Sequence, residues 1–228
     1  MIIAIDGPSG AGKGTVARAV AASLGFRHVD SGAMYRAVGW KAVRDGVPLG
    51  DEQAVAGVAG TAVIDVGPDH VTIDGVDVTR EIRTPDIDRA AASVARLPAV
   101  RAVLVRQQRQ MGVDRAIVME GRDIGTVVFP QADVKIYLDA APEERARRRA
   151  NDPAHTGPAA VSEVATLLTE RDRIDTTRTA SPLYAAPDAI IVDTTGLAIE
   201  AVVDRVLSIV RRRLHESRSS SESRTPNP

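Results

Sequence analysis

GPSGAGKGT, residues 7–15, follows the apolar run Ile2 to Ile5. A strand that feeds a Gly-rich turn and then a helix is the setting a phosphate-binding loop requires. Gly7, Gly10 and Gly12 let the backbone curl so that its N–H groups point inward, where they and the following helix N-terminus can cradle phosphates. Pro8, Ser9, Ala11, Gly14 and Thr15 complete the candidate cradle, and Lys13 is placed to reach the outer phosphates. The pattern G-x-x-x-x-G-K-[ST] is met except at its last position, where Gly14 stands and the hydroxyl arrives one residue later at Thr15.

That shift is informative. GTPases and motor ATPases generally set a Mg²⁺-binding Ser or Thr directly after the Lys, whereas G-x-x-G-x-G-K-G-T resembles the nucleoside monophosphate kinases. A chain of 228 residues can bury a full core and is expected to form one domain with a small appendage. Its net charge of -1 and pI near 6.4 give no general attraction to nucleic acid or to an anionic membrane, so phosphate-binding arginines must be local. The absence of cysteine excludes disulfides and thiolate metal sites and fits a reducing cytoplasm. The opening run ends at Asp6, lacks a basic flank and is too short for a signal peptide, and no later segment reaches the ~18 apolar residues of a membrane span. The expectation is a cytoplasmic monomer with no nucleic-acid or membrane partner. Of the 29 basic residues only Lys13, Lys41 and Lys135 are Lys, a bias read as GC-rich coding and not as function.

Outward from the loop, a helix is expected over 13–24, closed by Gly25, then a strand over 27–29 ending in DSGAMYR at 30–36, whose first polar residues can cap the next helix. From Asp45 to Pro98 the texture changes: Thr61 to Val66 alternates, Gly67-Pro68-Asp69 turns, and Val71 to Ile73 and Val76 to Val78 flank the hairpin signal Asp74-Gly75. Thr84-Pro85-Asp86 starts a helix, and Leu97-Pro98 stops it and begins another that ends at Gly112. Ala116 to Met119, Val134 to Leu138 and Ala189 to Val192 are β-branched runs with helices between and after them, which with the first strands makes five. This texture implies an α/β fold with a five-stranded parallel sheet flanked by helices, and ligands bound beyond the carboxyl ends of its strands. The tail from 215, HESRSSSESRTPNP, is almost devoid of apolar residues and is expected to be disordered.

The candidate site residues fall at those strand ends. Tyr35 offers a flat face and Arg36 a bidentate anion donor. Arg122 and Asp123, flanked by Gly121 and Gly125, are either a surface pair or a ligand-contacting turn. Arg171, Asp175 and Arg178 share one helical face, as a salt-bridged solvent surface or as part of a site.

Together these segments resemble the bacterial cytidylate kinases. The loop variant, DSGAMYR, the hairpin-rich insert, VDVTREIRT at 76–84, LPAVR at 97–101, GRDIGTVVFP at 121–130, KIYLDA at 135–140 and ERDRIDTTR at 170–178 fall in that family's order, and the resemblance spans roughly residues 1–213. It implies a P-loop core at 1–44 and 99–214 with a short lid at about 149–162, an inserted domain at 45–98 that binds the nucleoside monophosphate, and transfer of the γ-phosphoryl group of ATP, with Mg²⁺, to CMP or dCMP in pyrimidine nucleotide metabolism. By motif position Arg36, Arg122 and Arg178 would hold the acceptor phosphate, Arg171 and Asp175 would lie near the sugar, and Arg101 and Asp123 would read cytosine beside Tyr35. Ser31 and Gly32 of DSGAMYR join the CMP-binding set. Lys13, Arg122, Arg178 and Arg148 are the residues expected to act in catalysis. Cytosine presents a donor at C4 and acceptors at N3 and O2, so a carboxylate and an Arg form a complementary pair for it.

Where the family's pattern places a base-contacting Ser, this chain has Ala92, with its Ser at 93. Arg145, Arg148 and Arg149 either contact ATP phosphates or complement the dipole of their helix, and Asn151 to Pro158 reads as the lid turn. No direct metal ligand is assigned. Thr15 and Glu120 are the candidates, acting through water, and Glu120 equally reads as a cap of its turn. His28, His70, His155 and His215 lack metal-ligand spacing and are read as structural or exposed. Shikimate and adenylate kinases lack the insert together with GRDIGT, and a regulatory nucleotide-binding protein without turnover would show erosion of Lys13 or the Arg set.

Overall fold

The computed structural model describes residues 1–113, 116–152 and 160–222. In chain order the elements are β1 (Ile2–Asp6), α1 (Lys13–Leu24), β2 (Arg27–Asp30), α2 (Ser31–Arg44), α3 (Glu52–Thr61), β3 (Ile64–Val66), β4 (Val71–Ile73), β5 (Val76–Asp77), α4 (Pro85–Val94), α5 (Pro98–Met111), β6 (Ile117–Gly121), β7 (Val134–Asp139), α6 (Pro142–Ala150), α7 (Val161–Thr177), β8 (Ile190–Asp193) and α8 (Ile199–Glu222). A 3₁₀ turn at Glu81–Arg83 and a π-helical turn at Ile124–Val128 complete them.

β1 lies at the centre of a five-stranded parallel sheet of order β2, β6, β1, β7, β8. Its residues alternate between two apolar layers, as a strand buried on both faces must. Ile3 and Ile5 pack with Val16 and Val20 of α1 and Val202, Val206 and Val210 of α8, while Ala4 faces Val105 of α5, Met119 and Ile124. The strand order reverses at β1, so its carboxyl end opens into the crevice between neighbouring crossovers. The Gly-rich loop leaves the sheet there.

The expected helix over 13–24 is found, and Gly25 closes it in the left-handed region with its N–H on Ala21 and Ala22. Asp30 caps α2 and Thr84 caps α4, as the sequence reading held. Asp74 and Gly75 both take positive φ in the hairpin joining β4 and β5 of a three-stranded antiparallel sheet. The alternation over 61–66 gives only the short β3, because α3 precedes it and runs through Thr61. Asp51 caps α3, its side chain accepting from Ala54 N. Glu52 ties α3 to α5 by accepting from Ala99 N at 2.7 Å.

One expected boundary runs through a shared apolar cluster, and one expected segment takes a different form. A cut at 45 and 98 passes through one apolar cluster in which Ala33, Met34, Ala37 and Val38 of α2 and Val100 and Leu104 of α5 pack with Val66, Val71, Ile73 and Ile87. So small a sheet cannot cover its own apolar face, and it borrows both flanking helices. The tail expected to be disordered from 215 continues α8 to Glu222 instead. Extending an existing helix costs far less than nucleating one, and Arg213 pairs with Glu216 across the junction at 3.2 Å. Of the expected lid at 149–162, residues 153–159 lie outside the described residues. No helix among the described residues is long and apolar enough to cross a membrane.

Helices α2 and α4 meet at Gly39, where an added Cβ would stand 3.2 Å from the Ala90 Cβ and the Ala91 nitrogen. Gly39→Leu is therefore expected to destabilise the fold by about 1–3 kcal/mol through overpacking. Urea unfolding measures this, and an unchanged midpoint would mean that the α2–α4 contact is not close-packed in solution.

Candidate active site

Gly7, Gly10 and Gly12 take φ of 148°, 80° and 89°, which only glycine adopts without strain. A Cβ on Gly7 would collide with the Leu138 carbonyl oxygen, so β7 forces the residue as well as the torsion. Asp6, at the end of β1, accepts from Ile124 N at 2.8 Å and Gly125 N at 2.7 Å. Those bonds fix the turn after β6 to the loop-bearing strand. Burial pushes the Asp6 carboxyl up to about 6 even with these two N–H donors.

Lys13 opens α1 and is buried, its Nζ donating to Pro8 O at 2.6 Å. Burial, then the neighbouring Arg122, lowers its ammonium to about 7. Glu120, also buried, lies beside Gly14 and is 3.1 Å from His28 Nε2. Thr15 is exposed at the rim of the cavity.

Across the loop lies a cavity of about 1070 Å³ whose far wall is a lattice of arginines and carboxylates. Asp123 pairs closely with Arg101 and lies 3.8 Å from Arg178. Asp175 takes Arg122 at 3.0 Å, Arg178 at 3.4 Å and Arg171 at 4.0 Å. Asp88 takes Arg36 at 3.1 Å, Arg149 at 2.6 Å and Arg171 at 3.8 Å. Burial pushes Asp175 up, but Arg122, Arg171 and Arg178 outweigh it and hold the group below the ordinary carboxylate range. Burial, then Arg122 and Arg36, lowers Arg171 to about 10. The cations thus outrun their internal counter-ions, the condition of a site built for anions.

The Arg101 guanidinium also lies over the Tyr35 ring, 5.3 Å from its centroid. Tyr35, Arg101 and Asp123 are all buried and all line the cavity, forming a flat slot with an adjacent donor and acceptor. Asp123 and Arg122, adjacent in sequence, part company: Arg122 turns to Asp175 and Asp123 to Arg101. Ser31 faces the cavity but its hydroxyl donates to Glu120 O at 2.7 Å, and Gly32 leaves room for Arg36, whose NH1 an added Cβ would approach to 3.4 Å. Ala91 of α4 and Ala95, which caps its C-terminus, line the cavity, whereas Ser93 is exposed and bonds back to Arg89 O.

Arg145, Arg148 and Arg149 of α6 separate. Arg148 lies at the loop, with Nε on Glu144 at 2.7 Å and its terminal nitrogens on Thr194, whose hydroxyl also bonds Ala11 O. Arg149 crosses to Asp88. Arg145 is the departure from expectation: it does not line the cavity but is buried beneath the loop, bonding Ser9 O at 3.2 Å, Ala140 O and Asp172. Its backbone and Cβ are also what a side chain at Gly10 would strike, so it buttresses the loop. Asp88 is the site residue that sequence reasoning missed. In TPDID it reads as one more first-turn acid beside Asp86, and only the fold shows which arginines reach it.

The profile of the family described as cytidylate kinase matches residues 3–212 of this chain. The chain is 47% identical over 227 residues to a protein of Solibacter usitatus named cytidylate kinase, covering 97% of each. A cytidylate kinase of Pelotomaculum thermopropionicum is 50% identical over 214 residues, covering 91% of this chain and 95% of its own. Among solved structures, a gluconokinase from Sinorhizobium meliloti superposes with a TM-score of 0.52 at 14% identity over 96% of both chains, a likeness of fold alone.

Because an ammonium held near 7 regains its proton when a polyphosphate settles beside it, nucleotide binding at the loop is expected to take up protons at pH 8. Calorimetry of ATP binding in buffers of different ionisation enthalpy measures this against Lys13→Met, which carries only the protons of the nucleotide itself. Equal proton uptake by both proteins would take Lys13 out of the linkage.

Proposed function

The chain belongs to the cytidylate kinase family, and from that premise we propose that it transfers the γ-phosphoryl group of ATP to CMP and dCMP, giving ADP and the cytidine diphosphate. The observation that carries the choice of acceptor is the buried Arg101–Asp123 pair beside Tyr35, inside the cavity that the phosphate loop faces. A carboxylate only accepts hydrogen bonds, which suits the C4 amino group of cytosine and opposes the C4 carbonyl of uracil, while the Arg suits the base's acceptors.

In this reading the loop at residues 7–15 and Lys13 hold the ATP phosphates, with Arg148 and Arg149 toward the donor side. Arg36, Arg122 and Arg178 hold the acceptor phosphate, and Arg171 and Asp175 meet the sugar. Arg145 is reassigned from ATP contact to support of the loop, as its bonds to Ser9 and Asp172 favour. Transfer between two polyanions needs in-line positioning and charge stabilisation more than covalent help, which Lys13 and the arginines supply. Mg²⁺ fits the residues present. An exposed Thr15 hydroxyl and the buried Glu120 carboxylate suit an octahedral ion that keeps several waters and enters with the phosphates, and the described residues contain no cage of three or more acidic, His or Cys groups. When bound, the ion neutralises charge on the β- and γ-phosphates.

A coupled assay of ADP release with ATP and Mg²⁺ tests the reading: CMP and dCMP should be good acceptors, UMP slower and AMP poor. Equal rates on AMP and CMP would sink it. Lys13→Ala should lower kcat by roughly a hundredfold or more, the scale on which one preorganised charge-stabilising donor matters.

Asp123→Asn keeps the size of the side chain and adds a donor, so the ratio of kcat/KM for CMP over UMP should narrow, by about tenfold or more for a buried polar mismatch. Because Asp123 contacts Arg101 and Arg178, the mutation also disturbs phosphate positioning, which depresses both substrates alike. The ratio on one and the same protein separates the effects, and a wild-type ratio would remove Asp123 from base reading.

A further inference from the structure

Asp88 has a different setting from its neighbour Asp86. The Asp86 side chain is 81% exposed and contacts Arg89 of its own helix, as an acid that merely complements a helix N-terminus would. The Asp88 side chain is 15% exposed and lies against Arg36, Arg149 and Arg171, which line the cavity. Its Oδ1 accepts from Arg36 Nε at 3.1 Å, and its Oδ2 accepts from Arg149 NH2 at 2.6 Å. Burial pushes its carboxyl up, but Arg36, Arg149 and Arg171 outweigh this and hold it at about 2, so it stays charged at every working pH.

The two arginines it joins come from α2 and α6, and the proposed reading gives them to different substrates. Arg36 rises from α2, and its NH1 is buried without a hydrogen bond, 3.6 Å from Asp30 Oδ2, a donor that an anion could take up. Arg171 Nε is likewise buried without a hydrogen bond, 4.0 Å from Asp175 Oδ2. Arg149 lies in the last turn of α6, one residue after Arg148, whose guanidinium stands 3.8 Å from where a Cβ on Gly12 would be. A carboxylate beside a site for a phosphate dianion is a repulsive choice unless it orders the cations around it.

We propose that Asp88 is a positioning residue that couples the acceptor and donor sites, one carboxylate being shared between Arg36 on the acceptor side and Arg149 on the donor side. An acceptor phosphate that hydrogen-bonds NH1 of Arg36, in competition with the 3.6 Å ion pair to Asp30, fixes that side chain. Its Nε then fixes Asp88, and the other oxygen of Asp88 fixes Arg149 and the last turn of α6. The nucleotide that binds second meets arginines already ordered and loses less conformational entropy. This inference rests on the acceptor being CMP at Arg36.

The test is the dissociation constant of a non-hydrolysable ATP analogue with Mg²⁺, measured with and without saturating CMP. In the wild-type protein CMP should tighten the analogue by about fivefold or more, and the analogue should tighten CMP by the same factor. Asp88→Asn should bring the factor close to one, Asp88→Glu should restore part of it, and Asp86→Asn should leave it at the wild-type value. Arg149→Met removes the same bridge from its other end, so it should also abolish the factor, and combining it with Asp88→Asn should change nothing further. A wild-type factor in Asp88→Asn, or a factor of one in a wild-type protein that binds CMP, overturns the proposal while leaving the substrate assignment in place. A wild-type protein that binds no CMP overturns both.

Discussion

Mutual repulsion among buried cations is the constraint on which this site depends. Two polyanions held at close range demand many positive charges in one cavity, and those charges must coexist before any phosphate arrives. The low values reached by Lys13 and Arg171, near 7 and 10, come from burial first and from the neighbouring Arg122 second. Three carboxylates relieve the repulsion by sharing. Asp123, Asp175 and Asp88 each touch at least two arginines, so that each guanidinium keeps a partner while retaining donors for a ligand. Arginine suits this role better than lysine, because its planar fork can bond an internal carboxylate through one nitrogen and still present others.

The sheet makes such a cavity constructible. β1 is buried on both faces, which holds the loop against a wall that does not move, and Asp6 then nails the turn after β6 to the same strand end. Burying that carboxylate is unfavourable, as its rise to about 6 shows, and two backbone N–H groups are what make it tolerable. The arrangement places Glu120, Arg122 and Asp123 opposite Lys13 through backbone geometry alone.

Much of this was legible in the sequence because it rests on local rules. The loop glycines, the caps at Asp30 and Thr84, the Asp74-Gly75 hairpin and the ends of α5 are each set by backbone torsion or by a capping group within a few residues. Helix α3 was not read, since its Ala, Val and Gly pattern is a weak period and its one strong signal, the cap at Asp51, is a single polar residue in a polar stretch. The packing of the inserted segment against α2 and α5 was not legible for a related reason: which helix covers a small sheet is a long-range fact. Arg145, Arg148 and Arg149 look alike along the chain, yet one turn of helix sends them under the loop, to Thr194 and across to α4. Asp88 was invisible by the same logic, its role being carried by residues far from it in sequence.

Adjacent residues with separate duties are the last consequence of the turn after β6. Arg122 and Asp123 share a peptide, but the backbone turns between them, sending one side chain to Asp175 and the other to Arg101. In the proposed reading, phosphate positioning and base recognition are therefore one peptide unit apart and fixed by the same two hydrogen bonds that Ile124 N and Gly125 N donate to Asp6. A base that fails to satisfy Asp123 cannot shift to recover the contact without dragging its phosphate out of the arginines. Discrimination of the base then acts on transfer as well as on binding, which is how a pocket converts a single hydrogen-bond mismatch into selectivity in kcat/KM. The same linkage means that Asp6, which touches neither base nor phosphate in this arrangement, governs both through the turn it holds.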